Sequence, residues 1–324
     1  MSELNITLLA GGVGGAKAAE GLTLGPYRNG LNIIGNIGDD QSFHGLWVSP
    51  DIDTLTYTLA NAIDRDQGWG LKGDSKRVLS QLQTLGCDTW MQLGDLDFAT
   101  HIYRTVQRQA GVRPTEIARA IARGYQVDVP IWLPTDHTVA TKLDTESGWL
   151  DFQDYFVGER CAPKVRQVCY HNAHLATATP EALAAIDNAQ LIVIAPSNPL
   201  LSIGAILAIP GIRSAIEQSR APVIAISPLI AGQAMKGPAA KLMQELDMRP
   251  DCLGIAQFYQ GLIDLLVIDE SDAHLAPAIE KLGIQTLQTA IVMNEPSDRE
   301  HKMRTIITMA SQQLGIHLSA RACA

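Results

Sequence analysis

The chain has no surplus of positive charge, no paired cysteines and no uninterrupted apolar span. Among 324 residues, 34 acidic side chains outnumber 25 basic ones, leaving a net charge of −9. That sign argues against a phosphate-backbone surface, so no nucleic-acid partner is expected. The five cysteines (Cys87, Cys161, Cys169, Cys252 and Cys323) are odd in number and form no C-x-x-C pair. They fit a reducing, cytoplasmic setting better than a disulfide framework. Met1 leads toward an apolar strand without a basic leader, so no signal peptide is read. The nearly uncharged stretch from Leu191 to Ile212 is broken by Pro196, Pro199 and Pro210. It reads as strand, turn and apolar segment, not as a membrane span. Also missing are a G-x-S-x-G elbow, a Gly-Lys-Ser/Thr phosphate loop and histidines at zinc spacing, since His44, His101 and His137 are scattered. Covalent and zinc chemistries are not suggested.

What is present begins at the N-terminus. An apolar run ending at Ala10 opens into Gly11-Gly-Val-Gly-Gly-Ala-Lys17, and a second apolar run ends in Asn36-Ile-Gly-Asp39-Asp40. A buried strand that passes through glycines into a helix gathers bare N–H groups and a helix N-terminus, which attract phosphate. Carboxylates at the end of the next segment can bring a divalent cation to that phosphate. The dinucleotide fingerprint is incomplete, because Lys17 stands where the third glycine belongs. The opening therefore predicts a nucleotide or diphosphate site around Gly12, Gly14 and Lys17, with a divalent metal.

Short apolar strands are read at 6–10, 31–34, 191–195, 223–226, 254–256 and 265–268, with helical patterns at 180–188 and 239–247 between them. Such alternation predicts an α/β fold, a doubly wound, mostly parallel, Rossmann-like sheet covered on both faces. The middle differs. Helices are expected at 53–63, 75–85, 100–110 and 114–123, then a hairpin from 140–144 through Glu146-Ser-Gly148 to a strand over 149–157. Residues 1–55 and 165–324 thus read as a nucleotide-binding domain and 56–164 as an inserted helical and hairpin subdomain. The tail from Leu282 reads as a final strand and helix.

Two constellations carry chemistry. The acidic set comprises Asp39 and Asp40, then Asp51 and Asp53 in Ser49-Pro-Asp-Ile-Asp-Thr54, then Asp95 and Asp97. Asp51 and Asp53 flank one residue, so an extended segment would point them to one side. Asp53 also suits a helix N-cap. Carboxylates near a phosphate bind magnesium or deprotonate an attacking hydroxyl. The second set is Ser197-Asn198 after one strand and Ser227 to Lys236 after another, where ligands of open α/β sheets sit. Trp69, between glycines, could offer a stacking platform or simply pack.

Together these stretches resemble the 2-phospho-L-lactate transferase family, which builds the phosphodiester of the deazaflavin coenzyme F-420. The matching segments are Gly11 to Lys17, Asn36 to Asp40, Gly45 to Thr54, Gly68-Trp-Gly70, Leu93-Gly-Asp95 with His101 and Arg104, Phe152 to Tyr155, Pro196 to Pro199 and Lys236-Gly-Pro238. The resemblance implies transfer of a phosphorylated three-carbon acid (2-phospholactate, phosphoenolpyruvate or 3-phosphoglycerate) from a GDP-linked donor to the ribityl hydroxyl of the deazaflavin Fo. GMP is released and Mg2+ assists. Asp40 and Asp51 would be catalytic, and Asp40, Asp51 and Asp53 would face the metal. Gly12, Gly14, Ser197, Asn198, Ser227 and Lys236 would surround the donor nucleotide, with Trp69 and Asp95 nearer the deazaflavin. A homodimer is a family expectation. The competing class is the gluconeogenesis-factor type, a non-enzymatic nucleotide-sugar-binding regulator that shares the glycine opening and paired aspartates. It carries a glycine- and serine-rich run where this chain has Gln41-Ser-Phe-His-Gly45.

Overall fold

A computed structural model describes residues 4–234 and 237–316. Seven parallel strands form the central sheet, in the order Gln285–Gln288, Leu265–Ile268, Val223–Ile226, Leu191–Ile194, Ile6–Ala10, Leu31–Gly35, Ile131–Trp132. Burial on both faces explains why the inner strands read as nearly continuous apolar runs: every residue of Ile6–Ala10 and Leu191–Ile194 is buried, whereas the edge strand Gln285–Gln288 buries only Leu287. Leu9, Ile192 and Ile194 pack into the core on one face, while Leu8, Ile33 and Val193 pack on the other.

Chain order sets the position of the cleft. From Ile6–Ala10 the chain moves outward through Leu31–Gly35 to Ile131–Trp132, then returns to Leu191–Ile194 on the other side of the first strand. Ile6 pairs with Leu31 on one side and Leu191 on the other. The turns leaving Ala10 and Ile194 therefore diverge at a topological switch point, where such sheets open a crevice.

Four helices matter for the cleft. They are α1 (Gly12–Leu24), α2 (Pro50–Leu59), α3 (Arg77–Thr84) and α4 (Asp95–Gln109). A three-stranded antiparallel sheet of Gly148–Asp151, Ala140–Thr145 and Val165–His171 lies beyond them.

Several expectations are corrected. Residues 254–256 lie inside a helix, Cys252–Phe258, because Asp251 caps it by accepting from the Gly254 N–H at 2.9 Å. Ile131–Trp132 joins the central sheet although it falls in the stretch read as an insertion. The strand expected over 149–157 stops at Asp151, and Asp154–Gly158 is a helical turn. α4 starts five residues earlier than expected, at Asp95. The apolar pair Pro199–Leu207 and Ile212–Gln218 bends by 82° and is packed into the core. Among the described residues no single helix is long and apolar enough to cross a membrane.

Candidate active site

A cleft of about 450 Å3 opens at the switch point. One wall is the glycine turn. Gly12 has φ +61°, a left-handed backbone that favours glycine. Gly14 faces a closer constraint, since a Cβ there would lie 2.1 Å from the Pro196 carbonyl oxygen. The two diverging turns thus touch backbone to backbone. Ser197 pins them, its Oγ donating to the Gly11 carbonyl at 2.7 Å and accepting from the Gly11 N–H at 3.1 Å. Asn198 caps the next helical turn, its Oδ1 accepting from the N–H groups of Leu200 and Leu201 at 2.9 and 3.0 Å. Lys17 lines the cleft and its ammonium donates to the Met293 carbonyl at 2.8 Å.

The opposite wall is acidic. α2 starts at Pro50, with proline at its first position, so Asp51 and Asp53 sit in the first helical turn and Asp53 is not the cap. Asn36 Nδ2 bridges two carboxylates, donating to Asp51 Oδ2 at 2.9 Å and Asp39 Oδ1 at 3.3 Å. Gln153 Nε2 reaches Asp39 Oδ2 at 3.3 Å. Burial holds Asp39 well above the ordinary carboxylate range, and the charges of Asp51 and Asp40 push it further. Asp51 is raised by burial too, against the hydrogen bonds of Asn36 and the Gly12 backbone.

Deeper in the same wall, Arg104 on α4 forms a buried ion pair with Asp53 and donates to His101 Nδ1 at 3.1 Å. Burial and Arg104 lower the His101 pKa to about 4 although Asp53 opposes them, so the ring is neutral. Its 3.8 Å approach to Asp53 is accordingly no ion pair. Asp97 is buried nearby, pushed up to about 6 by burial and the charge of Asp53. Phe152 and Phe156, stacked at 5.4 Å, line the cleft with Tyr57 and Trp69.

A family model described as 2-phospho-L-lactate transferase CofD matches residues 6–309. The chain belongs to that family. It is an enzyme, a transferase of coenzyme F-420 biosynthesis. A phosphoenolpyruvate transferase of Streptomyces griseus is 34% identical over 315 residues, with 95% of this chain and 99% of the relative covered. A 2-phospho-L-lactate transferase of Methanosarcina acetivorans is also 34% identical, over 286 residues, with 88% and 92% covered. A crystal structure of a UPF0052-family protein from Bacillus halodurans has a TM-score of 0.59 at 16% identity, covering 94% of this chain and 99% of that one. At that identity the likeness bears on the fold alone. These relatives lend the regulator alternative no support.

The structure gathers Gly12, Gly14, Lys17, Asp51, Asp53, Trp69, Ser197 and Asn198 around this one cleft. Others fall elsewhere. Asp40 lines a separate small cavity with Arg104 and Arg108, and its Oδ2 accepts from Ser49 Oγ at 2.7 Å and Trp47 Nε1 at 3.1 Å. The turn through Ile37 to Asp40 sends the two aspartates apart, and Asp39 is the one in the cleft. Asp95 is not in the cleft lining; it accepts from Ser75 Oγ and from the Val78 N–H at 2.9 Å, in the first turn of α3. Ser227 is buried in its own turn, donating to the Leu229 carbonyl at 2.8 Å. Lys236 lies outside the described residues.

Arg104 already partners Asp53, and among the described residues no three His, Cys, Asp or Glu side chains converge as a ready-made metal cage. Sequence reasoning gave no role to Asn36, His101, Arg104 or Gln153. The three-residue spacing of His101 and Arg104 on one helix face was the available signal.

Proposed function

We propose that the glycine wall holds a GDP-linked, phosphorylated three-carbon acid and the aromatic end holds the deazaflavin Fo. One observation carries this reading: a Cβ on Gly11 would lie 2.5 Å from Asp51 Oδ2. A buried carboxylate thus abuts the turn built for phosphate. The ribityl oxygen bonds to the phosphorus of the phosphorylated acid, and the P–O bond linking that phosphorus to GMP breaks. The hydroxyl proton passes to Asp51, whose raised proton affinity suits a base working near neutral pH.

Asp39 and Asp51, buried and bridged by Asn36, bring two carboxyl groups together where an anionic diphosphate would enter. That donor set fits magnesium, which Asp39 would hold from the protein side. When bound, the cation neutralises charge on the phosphoryl oxygens. The turn at Ser197-Asn198 supports the donor by fixing the glycine backbone, a positioning task.

The test is direct. Incubating the protein with Fo and each of the three guanylylated acids, and following GMP and the deazaflavin phosphodiester by mass, should give product with one acid preferred. EDTA should stop turnover, and magnesium or manganese should restore it. Product formed after rigorous cation removal would sink the magnesium assignment; no product from any acid would sink the substrates.

A further inference from the structure

Two polar atoms in the inner wall of the cleft are buried and lack a hydrogen-bond partner among the described residues: His101 Nε2 and Asp53 Oδ2. His101 is 2% exposed and Asp53 5%. Buried groups left unpaired are costly, so a wall carrying two of them is built to meet a ligand.

Their chemical sense follows from Arg104. A guanidinium only donates, so the 3.1 Å contact makes His101 Nδ1 an acceptor. In a neutral imidazole the proton then sits on Nε2, which becomes a donor. The ion pair with Arg104 occupies Asp53 Oδ1 and leaves Oδ2 as an acceptor. The inner wall therefore offers one donor and one acceptor on neighbouring helices, flanked by Tyr57, Leu93 and Trp69. That set matches the lactam or imide edge of a flat heterocycle, a ring carbonyl beside a ring N–H. It does not match an anion, because Asp53 and Asp97 stand beside it.

We infer that His101 is a specificity residue for the acceptor, donating Nε2–H to a carbonyl of its ring while Asp53 Oδ2 receives the adjacent ring N–H. The inference rests on the deazaflavin reading above. Arg104 serves as a positioning residue, fixing the His101 tautomer and holding Asp53 at once. An edge held at two points would orient the tricycle so that its ribityl chain runs toward the glycine wall.

The experiment compares wild type, His101→Leu and His101→Gln in three measurements: Fo binding by fluorescence titration, GDP binding by calorimetry, and melting temperature. Leucine fills the space without a donor, whereas glutamine keeps an N–H. Losing one buried donor should weaken Fo binding about ten- to a hundredfold in His101→Leu. GDP affinity should stay at the wild-type value, and His101→Gln should recover most of the Fo affinity.

Three results overturn the inference. Wild-type Fo affinity in His101→Leu would remove the hydrogen bond. Equal loss in the leucine and glutamine variants would make His101 a packing residue. Loss of GDP affinity with Fo unaffected would give the edge to guanine. Failure of wild type to bind Fo, with GDP binding intact, would instead sink the deazaflavin reading, and this inference with it.

Discussion

The two walls of the cleft are finished to different degrees. In the glycine wall the backbone is pinned from within the fold: Ser197 bonds both polar groups of Gly11, and Asn198 caps the turn behind it. Its shape depends on contacts so close that one carbon does not fit. In the carboxylate wall Asp39, Asp51, Asp53 and Asp97 are all buried, and three of them are pushed toward neutral pH. In the proposed function one wall is a shape for an anion, whereas the other is a set of buried carboxyl groups that a cation and an acceptor would complete. Preorganised backbone costs nothing further at the moment of reaction, while buried carboxylates store free energy that binding releases.

The largest test of this difference is Asp51→Asn. In its proposed role of proton acceptor, Asp51 should cost on the order of 10²–10⁴-fold in turnover when replaced. The fold should respond in the opposite sense. A carboxyl whose folded pKa is raised above 3.8 destabilises the fold as pH climbs from there toward neutrality, because the unfolded chain ionises first. The unliganded wild type should therefore lose stability over that window, and Asp51→Asn should flatten the loss and melt higher at pH 7.5. Near-normal turnover, or a pH–stability curve identical to wild type, would remove Asp51 from the site.

Gly14→Ala probes the other wall and should cost less. Its Cβ would collide with the Pro196 carbonyl, a backbone atom that cannot rotate away. Overpacking of this kind costs about 1–3 kcal/mol. Melting temperature should fall and donor affinity with it, while Fo affinity holds. Donor binding at the wild-type level in a folded Gly14→Ala variant would break the contrast between the walls.

Much of this architecture was legible because its signals are local. The runs 191–195, 223–226 and 265–268 are apolar throughout, and 6–10 and 31–34 are interrupted only by Thr7 and Asn32, a pattern that burial on both faces of the sheet imposes. The segment 254–256 failed because three apolar residues do not separate strand from helix, and the decisive Asp251 cap lies outside them. Ile131–Trp132 was missed because two residues between Pro130 and Pro134 carry no periodicity. In the site, Pro50 already marked the helix start that places Asp53 in the first turn. The choice between Asp39 and Asp40 was not legible. It depends on which way a tight turn throws each side chain and on Ser49 and Trp47 claiming Asp40. The roles of His101 and Arg104 needed α2 and α4 to be seen side by side.

The smallest expected effect separates two jobs of one side chain. Asn198 Oδ1 is already occupied by the N–H groups of Leu200 and Leu201, so the capping oxygen does not read a nucleotide. Only its amide Nδ2 remains to donate to a ligand in the cleft. Asn198→Ala removes both functions and should lose about 1 kcal/mol of stability as a lost cap, together with GDP affinity. Asn198→Asp keeps an oxygen for the two N–H groups, and its stability should stay near wild type. It also trades the donor for a negative charge facing an anionic diphosphate, so its GDP affinity should fall at least as far as that of the alanine variant. Calorimetry and thermal melts on the pair resolve the two jobs. If Asn198→Asp binds GDP as wild type does, Asn198 is a cap alone, and the glycine wall recognises its nucleotide through backbone only.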